Sequence, residues 1–475
     1  MGEMPVPADA LYGAQTARAV ENFPVSGRRM SRGFIAALGL IKLACAAVNR
    51  AAGRLSPAAA DAVMAAAAEV ADGRHDEQFP VDVFQTGSAT STNMNANEVI
   101  ATRAAALLAA AGGCAGGGGA GGGTGGSPDG AAGSDKKLHP NDHVNMGQSS
   151  NDVIPTAMNV AAAVAIHGRL LPAVESLRAA LADKAAEFDG IVKIGRTHLM
   201  DAVPVRLGQE FGGYAAQLAY AAELLRRAVA DLCELPLGGT AVGTGLNAPA
   251  GFAAAACAEI ALRTGLPFRE TANHFAEQAA RDRVLSASAA ARNLAVAMGK
   301  IASDIRLLAS GPRCGLGELV LPAIQPGSSI MPGKVNPVIC ESVIQVACQV
   351  VGHDAAIAAG CTGGVGGLLE LNVAMPMIAD NLLSAINLLT AVAGVFEHKA
   401  IRGLRANAER CEQLVEQSLA MVTVLAPRIG YDAAADLAKQ AAQSGKTIRQ
   451  LLHEQKLLPP SEIDTLLDAR AQTGA

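Results

Sequence analysis

Apolar residues that recur three, four or seven positions apart, punctuated by short Gly, Pro and Thr breaks, run through most of this chain, and that period belongs to helices. Between 156 and 188, Leu170, Val174, Leu177, Leu181 and Phe188 keep the spacing while Glu175, Arg178 and Asp183 take other faces. Similar patterns occupy 205 to 234, 251 to 264, 275 to 310 and 338 to 360, and shorter ones lie at 381 to 389, 402 to 424, 431 to 442, 447 to 452 and 461 to 468. Aromatic residues are only 3% of the chain and tryptophan is absent, which disfavours a β sandwich, whereas the abundant alanine favours closely packed helices. The expected fold class is all-α. With 475 residues, half of them hydrophobic, there is material for two or three domains and a large core. The expected partition is an N-terminal helical domain over 1–145, a long central helix bundle over 146–370 and a small C-terminal helical domain over 371–475. Several helices are apolar around much of their circumference, more than one chain covers alone, so a homo-oligomer is expected.

A net charge of -5 and an isoelectric point near 6.0 give no overall basic surface for nucleic acid. No uninterrupted apolar run reaches the ~18 residues of a spanning helix, and the first residues lack the basic and apolar regions of a signal peptide. No membrane association and a cytoplasmic location are therefore expected. The nine cysteines have no close Cys-x-x-Cys pair, so reduced thiols are expected, Cys340 among them as a packing residue. Residues 112–133 hold 13 glycines in 22 positions, a composition that suits a surface loop.

Chemistry concentrates in polar islands. Residues 327 to 338 read Gly-Ser-Ser-Ile-Met-Pro-Gly-Lys-Val-Asn-Pro-Val, where Gly327, Pro332, Gly333 and Pro337 forbid a helix and force a loop that presents Ser328, Lys334 and Asn336. It is not a P-loop: five residues rather than four separate its glycines, and Val335 follows the lysine. Lys334 and Asn336 instead suit a small carboxylate. A second island, Gln85 to Glu98, carries five hydroxyls and three asparagines, including Ser88 and Thr90; a dicarboxylate would satisfy several of these groups. A third stretch runs from His139, Asn141 and Asp142 to Ser149, Ser150, Asn151 and Asp152, which also read as N-caps for a helix starting near Pro155. A fourth, Gly195 to Ala202, places Thr197 beside His198, whose imidazole exchanges protons near neutrality. Gly243, Gly245 and Ala248 satisfy G-x-G-x-x-A, but a helical pattern precedes them and no βαβ alternation surrounds them, so they mark a tight loop.

In this order the islands resemble the fumarase/aspartase superfamily, and within it class II fumarate hydratases. The resemblance covers nearly the whole chain: Gly327 to Pro337 matches the signature loop, and Thr90 to Asn97, His139 to Asn151 and Gly195 to Asp201 match the other characteristic regions. It implies a three-domain helical fold whose central helices form the core of a homotetramer, with active sites shared among three subunits. It further implies fumarate and malate as substrate and product, and neither metal nor organic cofactor. Ser328 would be the base at C3 of malate, His198 with Glu341 would handle water, and Lys334 and Asn336 would hold a carboxylate and its aci-carboxylate form. Ser88, Thr90, Ser149, Ser150, Asn151 and Thr197 would complete the pocket, and His139, Asn141 and Asp142 match a secondary anion site. The near rival is aspartate ammonia-lyase, and Thr86-Gly87-Ser88, Ser149-Ser150 and Gly238-Gly239-Thr240-Ala241 favour fumarase over it. An inactive helical oligomer of the same fold is the other alternative. Ala89, where the family usually has glycine, and the long glycine-rich insertion are the departures.

Overall fold

The computed structural model describes residues 2–114 and 138–474, so most of the glycine-rich segment lies outside the described residues. The described chain is mostly helical, with eight short strands paired two by two. The N-terminal helices are α1 (Ala14–Asn22), α2 (Arg32–Ala51), α3 (Pro57–Ala71), α4 (Thr90–Cys114), α5 (Ser150–Ala165) and α6 (Leu171–Glu187). A hairpin of β1 (Val192–Thr197) and β2 (Met200–Arg206) follows, then α7 (Leu207–Leu232), α8 (Phe252–Thr264), α9 (His274–Ala279), α10 (Asp282–Leu308), α11 (Val338–Cys361) and α12 (Met375–Phe396). Five shorter helices close the chain: α13 (Ala408–Gln417), α14 (Ala426–Ile429), α15 (Tyr431–Ser444), α16 (Ile448–Gln455) and α17 (Pro460–Leu466). Two compact units arise, each from three stretches of sequence: 1–171, 224–292 and 349–388 in the first; 172–223, 293–348 and 389–475 in the second.

In the first unit α2 packs on α3, α5 and α8, and α4 packs on α1 and α3. Gly39 permits the α2–α3 approach, because a Cβ there would lie 2.6 Å from the Ala71 amide nitrogen. The α3 start is set by Ser56, whose hydroxyl accepts from Ala59 N, followed by Pro57 at a position where the missing N–H costs nothing. The α1 start lacks a cap of its own. Glu98 of α4 supplies one, accepting from Gly13 N, Thr16 N and the Thr16 hydroxyl.

In the second unit Ile194 of β1 enters an apolar cluster with Val415, Met421, Leu425, Leu437, Leu452 and Ile463 from the C-terminal helices. The hairpin is an addition to the all-α expectation. Its two-residue turn, His198-Leu199, has φ of 55 and 63, the left-handed geometry that matches the twist of paired strands. Three boundaries also move. The helix expected near Pro155 starts at Ser150, the segment 275–310 divides into α9 and α10, and only Ala408–Gln417 of 402–424 is α-helical, with a 3-10 turn over Leu419–Leu425.

Four helical stretches, Arg32–Ala51, Ser150–Glu187, Val338–Cys361 and Met375–Ile401, are long and apolar enough by length and composition to cross a membrane. The sequence reading missed them because it sought unbroken apolar runs, whereas alanine-rich windows reach the same mean hydropathy around isolated polar residues.

Candidate active site

The first unit holds the 85–98 and 139–152 islands. Ser88 and Thr90 share a hydrogen bond of 2.8 Å at the start of α4. Between them Ala89, fully buried, has φ of 52, the left-handed region that glycine adopts without strain, which is the physical meaning of the glycine expected there. Much of this island is satisfied within the chain. Gln85 Oε1 accepts from Thr92 N and its hydroxyl, Asn95 donates to Gln78 O, and Glu98 caps α1. Gln85, Thr92 and Glu98 are thereby accounted for without a ligand, whereas Asn93 Oδ1, Asn95 Oδ1 and both polar side-chain atoms of Asn97 are buried without a hydrogen-bond partner among the described residues; Ser88 and Thr90 remain the substrate candidates.

Ser149 caps α5 in a reciprocal box: its hydroxyl accepts from the N-terminal amides of the helix, and its own N–H donates to Asp152 Oδ1 at 2.9 Å. The capping expected of this stretch is present. Ser150 is buried and accepts from Asn93 Nδ2 at 3.0 Å, and Asn151 Nδ2 donates to Ala241 O at 2.8 Å. The second Asp152 oxygen accepts from Gly238 N and Thr240 N, so one buried carboxylate fastens the 149–151 turn and the glycine loop together. Burial raises its pKa to about 6, and the three N–H donors and Lys42 limit the rise. A methyl at Gly239 would fall 2.1 Å from Gln278 Oε1, so any side chain there would have to displace Gln278.

His139, Asn141 and Asp142 lie around a π-helical turn at Pro140–Val144, with His139 Nδ1 3.0 Å from Asp142 Oδ2. Asn141 and Asp142 line a cavity of about 520 Å³ with Arg54, Ser149, Thr240 and Asn247. The residues expected at a secondary anion site and one expected at the substrate site thus share a wall.

Lys42 escaped the sequence reading. It is fully buried in α2, and its Nζ donates to Asn145 Oδ1 at 2.8 Å and Gln148 Oε1 at 2.9 Å. A lone lysine inside the apolar run Leu38 to Ala47 was the signal.

The second unit holds the remaining candidates. Thr197 and His198 are exposed at the tip of the β1–β2 hairpin, held from below by Arg196, which contacts Glu318 with both carboxylate oxygens at 3.0 Å. The signature loop is irregular, as its prolines and glycines dictate. Gly327 N donates to Lys334 O at 2.7 Å and Asn336 Nδ2 to Gly327 O at 2.6 Å, closing the neck of the loop. Ser328 Oγ accepts from Ile330 N and Met331 N at 3.3 and 3.1 Å, while the Lys334 side chain is exposed. Two donated amides on a hydroxyl oxygen favour its alkoxide form. Glu341 stands in the first turn of α11. Among the described residues no hydrogen bond or ion pair joins His198 to Glu341 within this chain. Neighbouring Cys340 is buried and its thiol is pushed up to about 12 by burial, the condition of an inert packing thiol. The eight described cysteines are free.

Comparison with known proteins gives these features a common frame. Residues 2–352 match the Lyase family and residues 421–474 match the Fumarase C C-terminus family. The chain belongs to this lyase family and is built as an enzyme of it. It is 52% identical to the class II fumarate hydratase of Mycobacterium tuberculosis (strain H37Rv) across 100% of this chain and 95% of that protein. It is 51% identical to that of Halobacterium salinarum across 100% and 96%. The crystal structure of a class II fumarase from Schistosoma mansoni superposes with a TM-score of 0.90 at 40% identity, covering 98% of this chain and 96% of that one. A fumarate lyase:delta crystallin from Brucella melitensis bound to cobalt gives 0.90 at 41%, covering 100% and 98%. Within the lyases, the chain is a member of the class II fumarate hydratase family.

Proposed function

We propose that this protein catalyses the reversible hydration of fumarate to (S)-malate. The observation that carries the reading is identity of about half the residues along the full length to class II fumarate hydratases, on a chain that carries Ser328, Lys334, Asn336, His198 and Glu341. In dehydration Ser328, as the alkoxide, takes the C3 proton of malate, and the electron pair moves onto the adjacent carboxylate as an aci-carboxylate. The Lys334 ammonium and the Asn336 amide stabilise that charge, a term worth roughly 3 to 4 kcal/mol for each well-placed donor. The C2 hydroxyl then leaves from the opposite face as water with a proton from His198, which Glu341 orients. Hydration runs the same steps backwards, and only the chain's own groups take part. Ser88, Thr90, Ser149, Ser150, Asn151 and Thr197 bind the carboxylates, and His139, Asn141 and Asp142 form a secondary anion site.

The assembly proposed is a cytoplasmic homotetramer, organised as domains 1–145, 146–370 and 371–475. His198 and Glu341, which make no bond within one chain, then meet across subunits. The apolar window of α11 is only 33% buried within the chain, which supports a covering partner. Loss of fumarate ultraviolet absorbance with purified protein tests the reaction. Ammonia release from aspartate with no change in fumarate would instead assign the aspartate ammonia-lyase reaction, and activity on neither would leave an inactive oligomer.

A further inference from the structure

A charged lysine with no solvent exposure is a poor packing residue. Its ammonium loses its hydration, and an apolar side chain of similar volume at such a site is often neutral or stabilising. Lys42 has 0% exposure, and its bonded partners are two neutral amide oxygens, Asn145 Oδ1 and Gln148 Oε1. No carboxylate lies within ion-pair distance of it among the described residues. What it holds is the turn that carries Ser149, Ser150 and Asn151.

The connections are direct. Asn93 Nδ2 donates both to the same Asn145 oxygen, at 3.3 Å, and to Ser150 Oγ, at 3.0 Å. Asn145 Nδ2 donates to Gln148 O at 3.2 Å, and Gln148 Nε2 donates to Val144 O at 3.0 Å and Met146 O at 3.3 Å. Each amide whose oxygen faces Lys42 therefore turns its nitrogen onto the backbone of the same turn. From the other end the turn is fastened by Asp152. Buried charges of opposite sign thus grip the 145–151 segment at both ends.

We infer that Lys42 is a positioning residue of the proposed reaction: by fixing Asn145 and Gln148 it sets the place of the Ser150 and Asn151 groups that receive a substrate carboxylate. The inference rests on the fumarate hydratase reading for its substrate, but not for its structural content. Lys42 also puts a positive charge beneath an anion-binding turn. The titratable groups around it are Cys45 on its own helix, Asp152 on α5 and, facing those two, Cys257 on α8. Burial depresses the Lys42 pKa to about 7, a sign that the ammonium is uncomfortable where it sits.

The test is Lys42→Met in the full chain. The carboxylate contacts are made in substrate and transition state alike, so KM for fumarate should rise while kcat stays nearly constant. The rise should be about ten- to a hundredfold, the size of losing a hydrogen bond to a charged group. Amide hydrogen exchange across 145–152 should accelerate while α2 and α8 stay protected. An unchanged KM with unchanged exchange overturns the inference, as does loss of protection throughout the first unit, which would make Lys42 a general structural residue. A fall in kcat with constant KM overturns it too. Should the variant fail to fold, Asn145→Ala removes the contact from the turn's side and is read in the same two ways. If the wild-type protein hydrates no fumarate, the reaction is wrong, and the exchange comparison alone decides whether Lys42 holds the turn.

Discussion

The turn at 145–152 and the loop at 327–337 carry the same kinds of groups, hydroxyls and amides with a lysine, yet they are built in opposite ways. In the first the lysine is buried and the polar side chains are spent on one another: Lys42 on Asn145 and Gln148, Asn93 on Ser150, and Asp152 on Ser149, Gly238 and Thr240. In the second the lysine is exposed, and the bonds within the loop are those of the neck, those to the Ser328 oxygen and a backbone turn from Lys334 N to Met331 O. On the proposed reading the first is a preorganised receptor, its geometry inseparable from the fold. The second presents reactive groups that the single chain leaves open, as a site completed by another subunit would require.

If that contrast holds, substitutions in the open loop should remove chemistry without touching stability. Ser328→Ala should lower kcat/KM by about 10²- to 10⁴-fold, the range for losing a positioned proton-transfer group, with an unchanged melting curve. A near-normal rate would remove Ser328 from the mechanism. Gly327→Ala comes next. Its methyl would lie 2.7 Å from both Asn336 N and Lys334 O, so the neck must open and displace Ser328 and Lys334. A displacement near 1 Å costs up to about 10² in rate. Wild-type kinetics in Gly327→Ala would show that the neck does not set the site.

The two regions also differed in how far they could be read from sequence. The open loop was legible because prolines and glycines dictate local backbone, and the long helices because their apolar period is local. The hairpin carrying Thr197 and His198 was not. Val192, Ile194 and Arg196 alternate over only a few residues, and its turn uses His198 and Leu199 where glycine or asparagine is the usual signal. The partial satisfaction of the 85–98 island within the chain was equally hidden, since Glu98 finds its partners 82 to 85 residues away. Lys42 lay in plain view as one charge in an apolar run, but its partners sit more than 100 positions along the chain.

The buried turn should respond to pH through stability. The native Lys42 loses its proton near 7, whereas the unfolded chain keeps it to about the ordinary 10.5. Below 7 both states are protonated and the burial cost is fully present. Between those values the unfolded state binds more protons, so this lysine's contribution to stability rises with pH. Lys42→Met abolishes that rise. Its stability relative to wild type should be greatest near pH 6 and decline toward pH 10, by on the order of a kcal/mol or more in urea titrations. A difference independent of pH would mean that the native Lys42 titrates like an exposed lysine. Asp152 has the opposite sign: its native pKa, raised to about 6 from 3.8, makes its contribution fall as pH rises between those values.

The smallest effect belongs to Ala89, within the island that the fold satisfies in part. Its φ of 52 costs an L-residue roughly 1 to 2 kcal/mol, and Ala89→Gly removes that strain. Glycine gives back about 0.4 to 1 kcal/mol through the freer unfolded chain, and loss of the buried methyl costs about 0.8 kcal/mol more. These terms nearly cancel, so the urea midpoint of Ala89→Gly should barely move. Ala89→Val is the informative partner, because a β-branched residue fits poorly at positive φ and the site has no exposed volume to receive it. A large stabilisation by glycine would show that the strain at 89 is not offset locally. A harmless valine would show that the backbone between Ser88 and Thr90 yields, which would move this island from the rigid side of the comparison to the open one.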